Sequence, residues 1–215
     1  MRRSRPSHYF LYDLLAPLYD LGVRLAALPF GGEEALRRRL LDEAGIKEGQ
    51  RVLEIFSGTA TLSVMAARMG ASVTALDVTH GMLKAAGVKA KGAGVRMGLV
   101  RGEAQALPFT DASFDRVIAS MGLHEAAPSA AMVALGEAKR VIKDGGTLAI
   151  LDFHRAEGAA TRAAQSLLFT FFEGDCAKEW VRGDLQSLLT GLGFRDFRRS
   201  FFLNRFLQLV TVKKT

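Results

Sequence analysis

Glu54, Gly58 and Asp77 are the residues of this 215-residue chain whose types and spacing point to chemistry. Glu54 lies in Val52-Leu53-Glu54-Ile55-Phe56-Ser57-Gly58-Thr59-Ala60-Thr61, an apolar run that ends in a loop of small residues before a helix-like segment. Loop amides at a helix N-terminus suit an anionic group, here a carboxylate. Asp77 follows Glu54 by 23 residues and closes a second apolar run. An acid there can accept from both hydroxyls of a ribose, the chemistry used in dinucleotide sites. The two spacings together outweigh the plainer reading of exposed strand-end acids and imply an adenosine-containing ligand. The loop is not G-x-G-x-x-G, which weakens NAD or FAD, and no Gly-Lys-Ser/Thr follows to make a P-loop.

Two later segments narrow the choice. Gly102-Glu103-Ala104-Gln105-Ala106-Leu107-Pro108-Phe109 precedes Asp111-Ala112-Ser113-Phe114-Asp115, and Arg140-Val141-Ile142-Lys143-Asp144-Gly145-Gly146-Thr147-Leu148 comes after them. With these motifs, residues 51–153 resemble the class I S-adenosylmethionine (SAM)-dependent methyltransferases, particularly the branch that holds ubiquinone and menaquinone C-methyltransferases. Ala16-Pro17-Leu18-Tyr19-Asp20 is similar to that branch's N-terminal A-x-x-Y-D signature.

The resemblance implies a cofactor, SAM, released as S-adenosylhomocysteine (SAH), and a set of roles. Glu54 would hold the methionine amino group through water, and Gly58 would let the backbone approach. Asp77 would bind the ribose and Val78 would lie against the adenine, whose edge Glu103 and Ala104 would meet. Ser120 and Met121 would line the cleft beside the methyl group, and Tyr19 would close over the methionine end, with core packing its competing reading. Phe56 and Ala60 stand where the family has glycine, and Asp144 replaces a proline. A β-carbon at either of the first two positions obstructs what glycine permits, so Phe56 either shapes the cofactor pocket or marks a weakened one.

His124 follows the fourth apolar run and faces the expected substrate entrance. An unperturbed imidazole near pH 6.5 suits a general base, against which stands a structural histidine. Methyl transfer from a sulfonium can run on proximity and alignment alone, so no base is compulsory. Leu167, Leu168, Phe169, Phe171, Phe172 and Trp180 form an apolar group read first as core and second as a lipophilic acceptor pocket.

These residues need a frame. Strands are expected at residues 51–56, 71–77, 95–100, 114–120 and 147–153, and helices at 61–69, 80–88 and 130–142. Such alternation implies βαβ units, hence an α/β parallel sheet with helices on both faces. The family resemblance makes it a Rossmann-like, seven-stranded, mostly parallel sheet with an antiparallel last strand. Residues 194–213 read as a terminal hairpin about Asn204-Arg205. Gly145 and Gly146 mark a turn. The expected organisation is one domain over 1–215, with an N-terminal helical lid at 1–45 broken at Pro17 and Pro29, and a helical insertion or lid at 155–190.

Composition bounds the rest. Apolar residues make up 49% and charged residues 24%, enough for a substantial core. Cys176 is the single cysteine, so no internal disulfide forms and a reducing, cytoplasmic setting is expected. No apolar run reaches membrane-spanning length, and four scattered histidines give a metal site no support. The net charge is +7, with five basic residues and no acid in 84–101 and seven basic residues in 182–215. Such patches face nucleic acid, an anionic membrane or an acidic substrate, or are plain solvated surface, the reading preferred here. The expected partner is a small, lipophilic-leaning methyl acceptor, with the oligomeric state open. The rival readings are an RNA or protein methyltransferase, a SAM-binding module without catalysis, and a protein for another adenosine ligand.

Overall fold

The structure is a computed structural model that describes Asp20, Gly22, Leu28 and residues 31–215. The expectations for Tyr19, Pro17 and Pro29 fall outside the described residues. The order of elements is α1 (Glu33–Ala44), β1 (Arg51–Ile55), α2 (Thr61–Arg68), β2 (Ser72–Asp77), α3 (His80–Gly92), β3 (Gly98–Arg101) and β4 (Phe114–Ser120). A 3-10 turn (Leu123–Glu125), α4 (Pro128–Val141), β5 (Ile142–Phe153), α5 (Ala159–Leu168) and a π-helical turn (Phe169–Glu173) come next. The chain ends with α6 (Gly174–Trp180), α7 (Leu185–Gly191), β6 (Phe194–Phe202) and β7 (Leu207–Lys214).

The strands form one seven-stranded sheet in the order β3-β2-β1-β4-β5-β7-β6. Strands β1 to β5 run parallel, and β7 inserts antiparallel between β5 and β6. Alternating side chains feed two cores. Leu53, Ile55, Val117, Leu148 and Ile150 pack with Ala134, Leu135 and Leu189 of α4 and α7. Val52, Val73, Ile118, Ala149 and Leu151 pack on the other face with Leu40, Leu41 and Leu62 of α1 and α2. A strand buried on both faces is mostly apolar, which is why 148–151 of β5 reads as a continuous run and why Glu54 and Asp152 stand out as buried acids in β1 and β5.

Two boundaries differ from expectation. β3 begins at Gly98 rather than Val95, because the Val95 amide still closes the last turn of α3 on Ala90 O at 3.1 Å. β5 begins at Ile142, and the Gly145-Gly146 turn is an irregularity inside it, between the pairs Phe114↔Ile142 and Arg116↔Thr147. A β-carbon on Gly146 would lie 2.8 Å from the carbonyls of Asp115 and Lys143, so the bulge closes only over glycine.

Candidate cofactor and acceptor site

Register brings the expected site residues to one edge. Ile55 pairs with Leu76 and Ala119, Asp77 with Arg101, and Ser120 with Leu151. Phe56, Val78, Gly102 and Met121 therefore all leave the sheet at its carboxyl edge, where ligands of open α/β sheets bind.

The loop after β1 is wound left-handed three times in five residues, with φ of 56° at Phe56, 51° at Gly58 and 56° at Ala60. That conformation explains why glycine suits positions 56 and 60, and this chain pays there with backbone strain. The loop is pinned from β2. Asp77 Oδ2 accepts from the Gly58 amide at 2.8 Å, and Oδ1 accepts from the Thr79 amide at 2.9 Å and the Thr79 hydroxyl at 2.6 Å. The Ser57 amide donates to Leu76 O at 3.0 Å, and its buried hydroxyl has no partner among the described residues. A buried hydroxyl without a partner is costly unless something polar meets it, so the loop fits a polar ligand group.

Glu54 is buried beneath this loop, accepting from the Ser63 amide at 2.9 Å and from the Ser63 hydroxyl. Burial pushes its carboxyl up to about 7, although the Ser63 bonds pull the other way. The loop's outer side is held by Lys89 of α3, which donates to Thr59 Oγ1 at 2.7 Å and to Thr61 Oγ1. Lys89 also pairs with Asp20 at 2.7 Å, and Asp20 accepts from Thr59 Oγ1 at 2.5 Å. Asp20, of the N-terminal signature, is thus tied to the loop. Glu103 is exposed, Ala104 is buried against Leu76 and Leu107, and Val78 and Ser120 are half-buried.

Phe56 does not stand free in the cleft. It packs against the core that contains Ile55, Leu76 and Leu123. A β-carbon on Gly122 would lie 2.3 Å from Phe56 Cβ and 2.7 Å from Cγ, so the side chain fills the space beside that glycine.

His124 is not at an open entrance. Its side chain is 2% exposed, with Nδ1 2.6 Å from Asp152 Oδ1 and Nε2 3.1 Å from Glu173 Oε2. Burial pulls the imidazole pKa down, but Asp152 and then Glu173 outweigh it and lift it to about 10. The ring is therefore a cation donating from both nitrogens, with no lone pair left to take a proton. Asp152 also accepts from the amides of Leu123 at 3.0 Å, His124 at 3.4 Å and Phe153 at 2.7 Å. Glu173 ends the π-helical turn, so this buried pair joins the 3-10 turn after β4 to the helical segment beyond β5.

Phe169 is 2% exposed and packs with Phe153 at 5.1 Å, as a core side chain does. Trp180 donates to Phe153 O at 3.1 Å, whereas Leu167 is 61% exposed. The side chains of Phe171 and Phe172 lie outside the described set.

Sequence reasoning missed Ser57, Ser63, Thr79, Lys89, Asp152 and Glu173. Ser57 carried a signal, since it sits between two loop residues already singled out. Asp152 and Glu173 carried none, because their partner is 28 and 49 residues away. Among the described residues no cluster of metal-ligating side chains occurs, and no helix is long and apolar enough to cross a membrane.

A family model described as a methyltransferase domain matches residues 52–146. An uncharacterized methyltransferase of Synechocystis sp. is 32% identical over 196 residues, which covers 91% of this chain and 91% of that protein. The demethylmenaquinone methyltransferase of Renibacterium salmoninarum is 39% identical over 143 residues, covering 66% of this chain and 57% of that protein. This chain thus spans just over half the length of that relative. A crystal structure of a SAM-dependent methyltransferase from Aquifex aeolicus shares the fold, with a TM-score of 0.64 and 24% identity over 83% of this chain and 89% of that one. With its relatedness carried over nearly the whole chain and its motifs gathered at one edge of the sheet, the protein belongs to the class I SAM-dependent methyltransferases, in their quinone-methyltransferase-like branch.

Proposed function

We propose that the chain moves a methyl group from SAM to a small lipophilic acceptor of the quinol class in the cytoplasm, releasing SAH. The observation that carries this reading is the loop at residues 56–60, pinned by Asp77 and offering beside the end of β4 the buried Ser57 hydroxyl, which has no partner among the described residues. SAM would supply a methyl on a positively charged sulfur, which the acceptor's carbon, oxygen or nitrogen would displace in line, the acceptor's proton passing to water. The residues hold and align. Glu54 faces the methionine amino end, Ser57 and Gly58 frame its carboxylate, and Asp77 takes the ribose hydroxyls. Val78 lies on the adenine, with Glu103 and Ala104 at its edge, and Ser120 and Met121 line the acceptor's approach. Tyr19 covers the methionine end, and within the segments 1–45 and 155–190 the parts outside the core helices α1 and α7 serve as lids on one domain. Alignment supplies the rate. His124, charged on both sides, positions Glu173 and its segment rather than abstracting a proton. The curated relative named for demethylmenaquinone supports an acceptor of that class.

SAH at a hundredfold over its dissociation constant should stabilise the fold by about 2.7 kcal/mol in a thermal melt. Asp77→Asn should cost at least about tenfold in SAH affinity by calorimetry, about 1.4 kcal/mol. A melt that responds to NAD or ATP but not to SAM or SAH would reject the cofactor. SAH binding without methylation of a reduced demethylmenaquinone would reject the acceptor.

A further inference from the structure

α5 is turned the unusual way. A surface helix normally buries its apolar stripe and shows its polar one. Ala159, Ala160, Ala163, Ala164 and Leu167 follow helical spacing along one side of α5, and all are exposed. The only buried side chain of the helix is Gln165, which accepts from the Ala156 amide at 3.1 Å and donates to His154 O at 2.7 Å. The helix is docked through Gln165 and the partly buried Leu168, and its alanines and Leu167 are left outward.

The β6–β7 turn beside it shows the same intent. Leu203, Asn204 and Arg205 have φ of 42°, 48° and 61°, three consecutive non-glycine residues in the left-handed region. Such strain persists only where surroundings hold it. Here Asn204 O accepts from the Glu157 amide at 2.7 Å, Asn204 Nδ2 donates to Thr161 Oγ1 at 3.1 Å, and Arg205 pairs with Glu157 at 2.8 Å. The turn so fixed points Leu203 outward at 44% exposure, next to Phe201 at 37%. The guanidinium of Arg205 lies 4.6 Å over the Phe201 ring. Arg155 and Arg162 are exposed on the segment and helix tied to this turn, and the guanidinium of Arg199 lies 5.8 Å over the Phe201 ring. Its nearby acid, Glu157, is spent on Arg205.

Position completes the argument. Phe153 pairs with Leu207, so the turn lies at the carboxyl edge, the edge from which Met121 leaves β4. We infer that α5 and the β6–β7 turn form a docking face for an anionic lipid bilayer, with Leu167, Phe201 and Leu203 entering the interface and the arginines meeting lipid phosphates. Outward apolar side chains ringed by arginine are what such a surface selects. The inference deepens the proposed function, resting on its lipophilic acceptor, because the face presents the acceptor side of the sheet to the phase that would dissolve that acceptor.

The test is flotation of the full chain with two kinds of vesicle. One is phosphatidylcholine alone, and the other is equal parts phosphatidylcholine and phosphatidylglycerol. The chain should float with the mixed vesicles and not with the neutral ones, and added salt should release it. Leu203→Glu, Leu167→Glu and Arg162→Glu should each weaken retention, the first two by about tenfold. Val88→Glu, at an exposed apolar residue of α3, should not. Thermal shift with SAH shows that every variant is folded with its cofactor site intact. Equal retention of Leu203→Glu and wild type would overturn the inference, as would wild type that ignores both vesicles. Retention displaced by RNA, with Leu167→Glu and Leu203→Glu undiminished, would assign the arginines to nucleic acid instead. Vesicle binding without methylation of reduced demethylmenaquinone would reject the acceptor and leave the docking face standing.

Discussion

Around β1 and β2 the polar side chains are turned in on one another, whereas along α5 and at the tip of the β6–β7 turn apolar ones are turned out. On the first side, Glu54 closes on Ser63, Asp77 on Gly58 and Thr79, and Lys89 on Thr59, Thr61 and Asp20. On the second, α5 buries one glutamine and exposes its alanines and Leu167. On the function and docking face proposed above, the contrast follows from what each side would meet. A cofactor of fixed shape rewards a loop held in place before it arrives, since preorganisation lowers the entropy cost of binding. An acceptor drawn from a lipid phase rewards a surface that is wetted by it.

The sharpest challenge to this contrast is His124, where the acceptor side uses a buried polar clamp of its own. His124→Ala leaves Asp152 buried without its cation, and unfolding in urea should show a loss of about 3 kcal/mol. The clamp is also pH-dependent. With its folded pKa raised to about 10, His124 contributes fully below its ordinary value near 6.5, and that contribution drains away as pH rises through about 10. His124→Gln should flatten the alkaline decline. A variant whose alkaline decline matches wild type would mean that the pair does not hold the segment.

Gly122→Ala tests the border between the two regions. The new methyl group would meet Phe56, and overpacking of this kind costs about 1–3 kcal/mol in a chemical melt. Phe56→Gly in the same chain, which removes the β-carbon that the new methyl group would meet at 2.3 Å, should recover most of the loss, and no recovery would place the strain elsewhere.

On the cofactor side, Glu54 should give stability an acid-side slope. Its folded pKa is raised to about 7, so its contribution is complete below its ordinary value and is lost as pH climbs through about 7. The ceiling for a shift of that size is about 3 kcal/mol, and the part seen over a one-unit step in pH is about 1 kcal/mol. Glu54→Gln should remove the slope. SAM binding should also release a proton near pH 7, visible as a buffer-dependent calorimetric enthalpy, if the methionine ammonium meets this carboxyl.

The smallest effect expected is a gain. Ala60 holds φ of 56° at the start of α2, and Ala60→Gly should raise stability by about 0.5–1 kcal/mol in thermal unfolding. A loss there would mean that the alanine methyl's packing against Ala75 and Ala86 exceeds the strain.

Legibility in the sequence divides along the same line. The strand–loop–helix around Glu54 and the acid at Asp77 are local patterns, and a fully buried parallel strand announces itself by its unbroken apolar run. The terminal hairpin was readable for the same reason. What escaped was long-range pairing and the direction a side chain takes. The apolar group at 167–172 reads as one cluster, yet α5 sends Leu167 to solvent while the π-helical turn sends Phe169 into the core. Likewise the histidine after β4 is visible in sequence, but the two carboxylates that charge it come from elements joined only by folding.

The fit of Phe56 against Gly122 sets an order on how this chain can have diverged. A bulky residue at 56 and any side chain at 122 exclude each other, since the β-carbons would overlap at 2.3 Å. Glycine had to be present at 122 before phenylalanine was tolerable at 56, and once phenylalanine arrived, the glycine was locked in. A lineage that kept glycine at 56 remains free to vary at 122. The two positions, 66 residues apart, thus form an evolutionary ratchet in which the route back to the family's glycine-rich loop must begin at 56 and never at 122.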